Sequence, residues 1–162
     1  MRRLAVISDT HFDSDSKKLP TQLIQKLQGV DIICHLGDLT TLNVLDLLSQ
    51  ITQVYAISGN MDSTKVHSLL PTERIIDIEE CKIAMIHGWG APLNLEMKVY
   101  KHFLEIKPSI ILFGHTHIPM IYYYQNTWLC NPGSLSIPRF GVPTMAFLKI
   151  DGSEITPEIH TL

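Results

Sequence analysis

Five short apolar runs punctuate the chain, and each breaks at a glycine or at a residue that can bind a metal. Leu4 to Ser8, Asp31 to Leu36, Gln53 to Ser58, Lys82 to Ile86 and Ser109 to Phe113 are rich in Val, Ile and Leu on both parities. That pattern predicts strands, Leu4 to Ser8 in particular being apolar on both parities as a strand covered on both faces must be. Between them, spacings of three and four predict helices: Pro20 to Leu27 with Leu23, Ile24 and Leu27 on one side, a helix capped by Thr40 or Thr41 running to about Ile51, and one capped by Asn94 running to about Ile106 with Leu95, Val99, Phe103 and Ile106 inward. Gly29 stops the first of these. Ser63 to Pro71 shows no clear period, and 13–18 reads as a polar loop. Glu73 to Ile78 is a further strand candidate, Ile121 to Tyr124 and Trp128 to Cys130 flank a turn at Asn126, and Thr144 to Ile150 with Glu154 to Ile159 reads as a closing hairpin around Asp151-Gly152. Strands alternating with helices and ending in hairpins imply an α/β fold.

The run ends carry the chemistry. The first run ends in Asp9 and His11, the second in Gly37-Asp38, the third in Gly59-Asn60, the fourth in His87-Gly88, and the fifth in Gly114-His115-Thr116-His117. In open α/β sheets the carboxyl ends of strands border one crevice, so these seven oxygen and nitrogen donors can converge although they are spread over more than a hundred positions. If the chain stays extended past Gly114, His115 and His117 face the same way with Cα atoms roughly 6.5 Å apart. That span suits two ions about 3.5 to 4 Å apart, each taking one imidazole.

At 162 residues the chain has the length of one domain, expected over 1–162, and 45% hydrophobic residues give it a real core. A net charge of −3 without a Lys/Arg cluster argues against nucleic acid as a bound polymer. No stretch approaches the roughly 20 apolar residues of a membrane span, and the N-terminus lacks the pattern of a secretory signal, so a cytoplasmic location is expected. Cys34, Cys81 and Cys130 are widely spaced and read as reduced, buried thiols.

The ordered set Asp9-Thr10-His11, Gly37-Asp38, Gly59-Asn60-Met61-Asp62, His87-Gly88 and Gly114-His115-Thr116-His117 resembles the calcineurin-like metallophosphoesterase superfamily. With Asn131-Pro132-Gly133-Ser134 it is similar to the small prokaryotic phosphodiesterase branch. The resemblance spans Ser8 to about Arg139. It implies a four-layer α/β/β/α sandwich of two mixed sheets with flanking helices, and metal-dependent hydrolysis of a phosphodiester by a metal-bridging hydroxide. It further implies one ion held by Asp9, His11, Asp38 and His117 and a second by Asp38, Asn60, His87 and His115, with Asp38 bridging. Mixed imidazole and oxygen donors suit divalent transition metals, manganese first, with Ni, Zn, Fe or Co as alternatives.

Met61 departs from the broader superfamily, where many members place a histidine near the leaving group. Asp62 or a metal-bound water is expected to stand in partly for it, Asn60 to contact substrate, and Arg139 to reach a substrate phosphate or lie on the surface. The Asn131 to Ser134 turn is expected to hold the histidine loop. His35, His67, His102 and His160 lie outside the motifs and read as ordinary, His67 with an alternative place at the site. Trp89 either stacks on a ring or anchors its loop. One or more of Tyr122, Tyr123 and Tyr124 should face solvent, a candidate contact to a second copy. The rival readings are a scaffold of the same fold, similar to the retromer subunit, and a phosphomonoesterase.

Overall fold

The computed structural model describes residues 1–11, 18–136, 139 and 141–162. The expected polar loop over 13–18 lies, apart from Lys18, outside the described residues.

Among the described residues, ten strands form two mixed five-stranded sheets. In the first, β1 (Arg2–Ile7), β2 (Ile32–His35) and β3 (Gln53–Ala56) run parallel, and β9 (Thr144–Asp151) pairs antiparallel with β1 and carries β10 (Glu154–Thr161) at the edge. In the second, β5 (Cys81–Ile86), β6 (Ile110–Phe113) and β8 (Thr127–Asn131) run parallel, flanked by β4 (Glu73–Ile78) and β7 (Met120–Tyr124) in the antiparallel sense.

The parity of β1 explains the layering. Leu4 and Val6 point into the core between the sheets, against Ile83, Met85, Ile110 and Leu112, whereas Ala5 and Ile7 point outward beneath α1 (Thr21–Leu27), α2 (Asn43–Ser49) and α3 (Thr64–Leu69). The second sheet does the same: Ala84, Ile111 and Phe113 lie under Leu95 and Val99 of α4 (Leu95–His102). A strand sandwiched in this way must be apolar on both faces, and the result is the four-layer α/β/β/α arrangement.

Several local expectations are corrected. The irregular stretch after Ser63 is helix α3, capped by the Ser63 hydroxyl, which accepts from the Val66 amide at 3.4 Å. Neither Thr40 nor Thr41 caps α2, which starts at Asn43; Thr40 has φ +69 and gives its amide to Asp62, so the backbone there is committed before a helix can begin. Asn94 precedes α4 in a left-handed conformation with no side-chain cap, and α4 stops at His102, which leaves Ile106 exposed. Ile24 is also exposed. The hairpin turn at Gly152 is as expected, and Cys34, Cys81 and Cys130 are free and buried. Burial pushes the Cys34 and Cys130 thiols up to about 12, which keeps them inert. Tyr122 and Tyr123 are exposed on edge strand β7. No described helix is long and apolar enough to cross a membrane.

Candidate metal centre

All seven donors lie just past the carboxyl ends of parallel strands, four from the first sheet and three from the second. Donor atoms of Asp9, His11 and His117 fall within 4.8 Å of one another, as do those of Asp9, Asp38 and His87. His117 Nε2 is 3.0 Å from Asp9 Oδ1. Asp38 Oδ2 stands between the groups, 3.9 Å from His11 Nε2 and 3.4 Å from His87 Nε2. On the other side, His87 Nε2 and His115 Nδ1 approach Asn60 Oδ1 at 3.1 and 3.0 Å.

The outer nitrogens of the two imidazoles explain why this convergence suits a cation. His87 Nδ1 donates to the Leu36 carbonyl at 2.7 Å and His115 Nε2 donates to the Gly90 carbonyl at 2.8 Å. A carbonyl only accepts, so in the neutral rings His87 Nε2 and His115 Nδ1 are bare lone pairs. With Asn60 Oδ1 and the Asp38 carboxylate they form a cluster of acceptors around one point. Opposite them, both Asp9 carboxylate oxygens and His11 Nε2 are buried with no hydrogen-bond partner among the described residues, His117 Nε2 standing beside Asp9 Oδ1 as a fellow ligand candidate. Buried acceptors in this number without donors fit divalent cations. The titration directions agree. Burial lowers His87, but the carboxylates of Asp38 and Asp9 outweigh it and raise the imidazole above its usual range. For Asp38, burial opposes ionisation, yet His87, the Met61 amide and His11 prevail and hold the carboxyl low.

The backbone reaches this geometry by an uncommon route. Asp9, His11, Asp38, His115 and His117 have φ of +53, +41, +55, +68 and +58. The chain is therefore not extended past Gly114: the Thr116 amide donates to the Gly114 carbonyl at 2.8 Å, closing a three-residue turn with His115 at its centre. That turn, rather than strand pleat, sends the two imidazoles to different sides. Left-handed non-glycine residues cost of order 1 kcal/mol each, and such residues gather at functional sites. Gly59 is needed for contact: a Cβ there would collide with the Asp38 carboxylate.

Side chains around the donors brace this backbone. Asp62 Oδ2 accepts from the amides of Asp38 at 3.0 Å and Gly59 at 2.7 Å, and its Oδ1 accepts from Thr40 at 2.7 Å. The expectation that Asp62 supplies a proton finds no geometric support, because both oxygens are used to hold the Asp38 loop. The Asn131 amide donates to the Gly114 carbonyl at 2.7 Å and to Thr116 Oγ1 at 3.1 Å, so the turn after β8 does grip the histidine loop. Ser134 and Ser136 hydroxyls each donate to the Asp9 carbonyl at 3.0 Å.

His35 is the residue that sequence reading undervalued. It accepts from the Gly37 amide at Nδ1 and donates from Nε2 to Thr10 Oγ1, linking the Asp9 and Asp38 loops. Burial pushes it down to about 3, so it stays neutral as the strut requires. A histidine two positions before Gly37 in an otherwise apolar run was the available signal. Arg139 is exposed, and its amide donates to the His117 carbonyl at 3.4 Å. Met61 gives its amide to Asp38 Oδ1 at 2.8 Å while its side chain points to solvent. His67 and Trp89 line a cleft beside Asn60 and His87.

The family profile described as Calcineurin-like phosphoesterase superfamily domain matches residues 2–153. The chain belongs to this superfamily. A probable metallophosphoesterase of Methanothermobacter thermautotrophicus is 32% identical over 96% of this chain and 90% of its own length. Among solved structures, Vps29 from Entamoeba histolytica complexed with zinc shares the fold at a TM-score of 0.80 and 23% identity, covering 98% of this chain and 92% of that one. A novel archaeal phosphodiesterase superposes with a TM-score of 0.72 at 18% identity, covering 98% and 99%. The family and its metallophosphoesterase relative, together with the candidate ligand groups around Asp9, imply divalent metal as the cofactor class.

Proposed function

We propose that this chain is a phosphodiesterase with a two-ion centre. The observation that carries the reading is the pair of donor groups on either side of Asp38, one in which the buried Asp9 carboxylate and His11 Nε2 find no hydrogen-bond donor among the described residues, and one with both imidazoles turned inward by carbonyls. Asp9, His11, Asp38 and His117 would hold one ion, and Asp38, Asn60, His87 and His115 the other. Bound there, divalent ions would supply Lewis acidity toward a phosphate oxygen and an activated water. Manganese is the first choice, with Ni, Zn, Fe or Co as alternatives, and the zinc-complexed fold neighbour is consistent with that range.

The chain's own residues do the rest. Asp38 and His115 would be ligands of the ions that bind the phosphate. Asn60 keeps its amide for a phosphate oxygen, and Arg139 offers an exposed guanidinium as a bidentate partner. Asp62 positions Asp38. Met61 can give no proton to a leaving group, so substrates with good leaving groups are favoured. The substrate is a small phosphodiester met in the cytoplasm, and a second copy of the chain can meet exposed Tyr122 and Tyr123.

Metal-free protein reconstituted with Mn, Ni, Zn or Mg and offered bis(p-nitrophenyl) phosphate and p-nitrophenyl phosphate tests this reading. The diester should be preferred, two metals should bind per chain, and Asp38→Asn should lower kcat/KM by about 10³-fold or more. Fewer than one metal per chain sinks the two-ion centre. Two bound metals with no turnover under any condition favours the scaffold reading.

A further inference from the structure

Next to the second donor group lies a cleft of about 280 Å³, with a largely apolar lining, between Asn60 and His87 on one side and Ile86, Thr72, His67 and Trp89 on the other. We propose that this cleft is a subsite for a planar aromatic ring carried by one ester substituent of the substrate, with Trp89 as its stacking wall. The proposal rests on the phosphodiesterase reading for the location of the phosphate, and goes beyond it by naming what is attached.

Trp89 is 46% exposed, which leaves part of the indole open to a ligand. It is also held. The His102 ring meets it edge-on with centroids 5.6 Å apart, and His102 Nε2 is fixed by Glu73 Oε2 at 2.6 Å. Loop, α4 and β4 therefore fix a tryptophan that water still reaches, which is the condition for low-entropy stacking. Its neighbours tie it to the metal centre: His87 is two residues before it, and the Gly90 carbonyl one residue after it accepts from His115. A ring against Trp89 is thus at a fixed offset from the phosphate. The volume fits one ring system rather than two.

The test uses zinc-loaded protein and calorimetric titration with inorganic phosphate, phenyl phosphate and adenosine 5′-monophosphate, the last two separating a simple arene from a nucleobase. At least one ring-bearing ligand should bind about tenfold tighter than inorganic phosphate. In a Trp128→Phe background, which leaves Trp89 as the single indole, that ligand should quench the emission. Trp89→Ala should abolish the advantage and Trp89→Phe should restore most of it. Equal affinity for all three ligands, or an advantage that survives Trp89→Ala, overturns the subsite. Diester turnover is scored separately: a protein that hydrolyses no diester yet retains the advantage keeps the subsite and loses the diesterase reading, and hydrolysis without the advantage does the reverse.

Discussion

The two sides of the metal centre are built by different means. Around Asp9, His11 and His117 the work is done by the main chain: three left-handed residues, amides of Asp9 and His11 donating to the carbonyls of Gly37 and Asp38, and two serine hydroxyls clamped on the Asp9 carbonyl. Around Asn60, His87 and His115 it is done by side chains, with each imidazole aimed through its outer nitrogen. A ligand held by backbone strain depends on its loop, whereas one aimed through a hydrogen bond depends on that single partner. The two sides should therefore fail separately.

The sharpest way to break that contrast is Ser134→Ala together with Ser136→Ala. If two ions bind as proposed, loss of both hydroxyls should weaken the ion at Asp9 by about 10- to 100-fold and leave the other within a few-fold, read from a two-step metal titration. Equal weakening of both ions would show one rigid unit instead.

His35 gives the next largest effect, through pH. Its folded value of about 3 lies below the ordinary 6.5, so the unfolded chain takes up the proton first as pH falls. Its contribution to stability is complete above about 6.5 and drains away toward 3, with stability falling as pH falls. Between pH 7 and 5 the wild-type protein should lose about 2 kcal/mol more than His35→Gln, measured by denaturant unfolding at both pH values. Parallel losses would remove His35 as the neutral strut between the Asp9 and Asp38 loops.

The smallest effect is on the opposite side. Gly90 has φ +74, and Gly90→Ala should cost about 1 kcal/mol there. By shifting the carbonyl that aims His115, it should weaken the second ion about fivefold, with the first unchanged, in the same titration. A loss at the first ion would mean that the sides are coupled through the histidine loop.

The α/β alternation and the convergence of the seven donors were legible because each depends on a local rule, apolar strand runs alternating with helical spacings and parallel strands ending at the crevice, whereas the four layers came with the family resemblance. Helix α3 was not, since six residues with Val66 as the buried one show no period. The separation of His115 from His117 was expected for the wrong reason, because a pleat can be read from spacing and a positive φ on histidine cannot. The main-chain partners of Asp62 and His35 were not legible: a carboxylate or an imidazole gives no sign of whether its partner will be substrate or main chain until the loops are in place.

The left-handed conformations at Asp9, His11, Asp38, His115 and His117 have a consequence for how such a chain can drift. Glycine at any of these positions would relieve the backbone, so random substitution has an easy path toward a more stable protein without a centre. Stability alone would favour that path. Five strained donors kept in place together mark the centre as something stability did not choose.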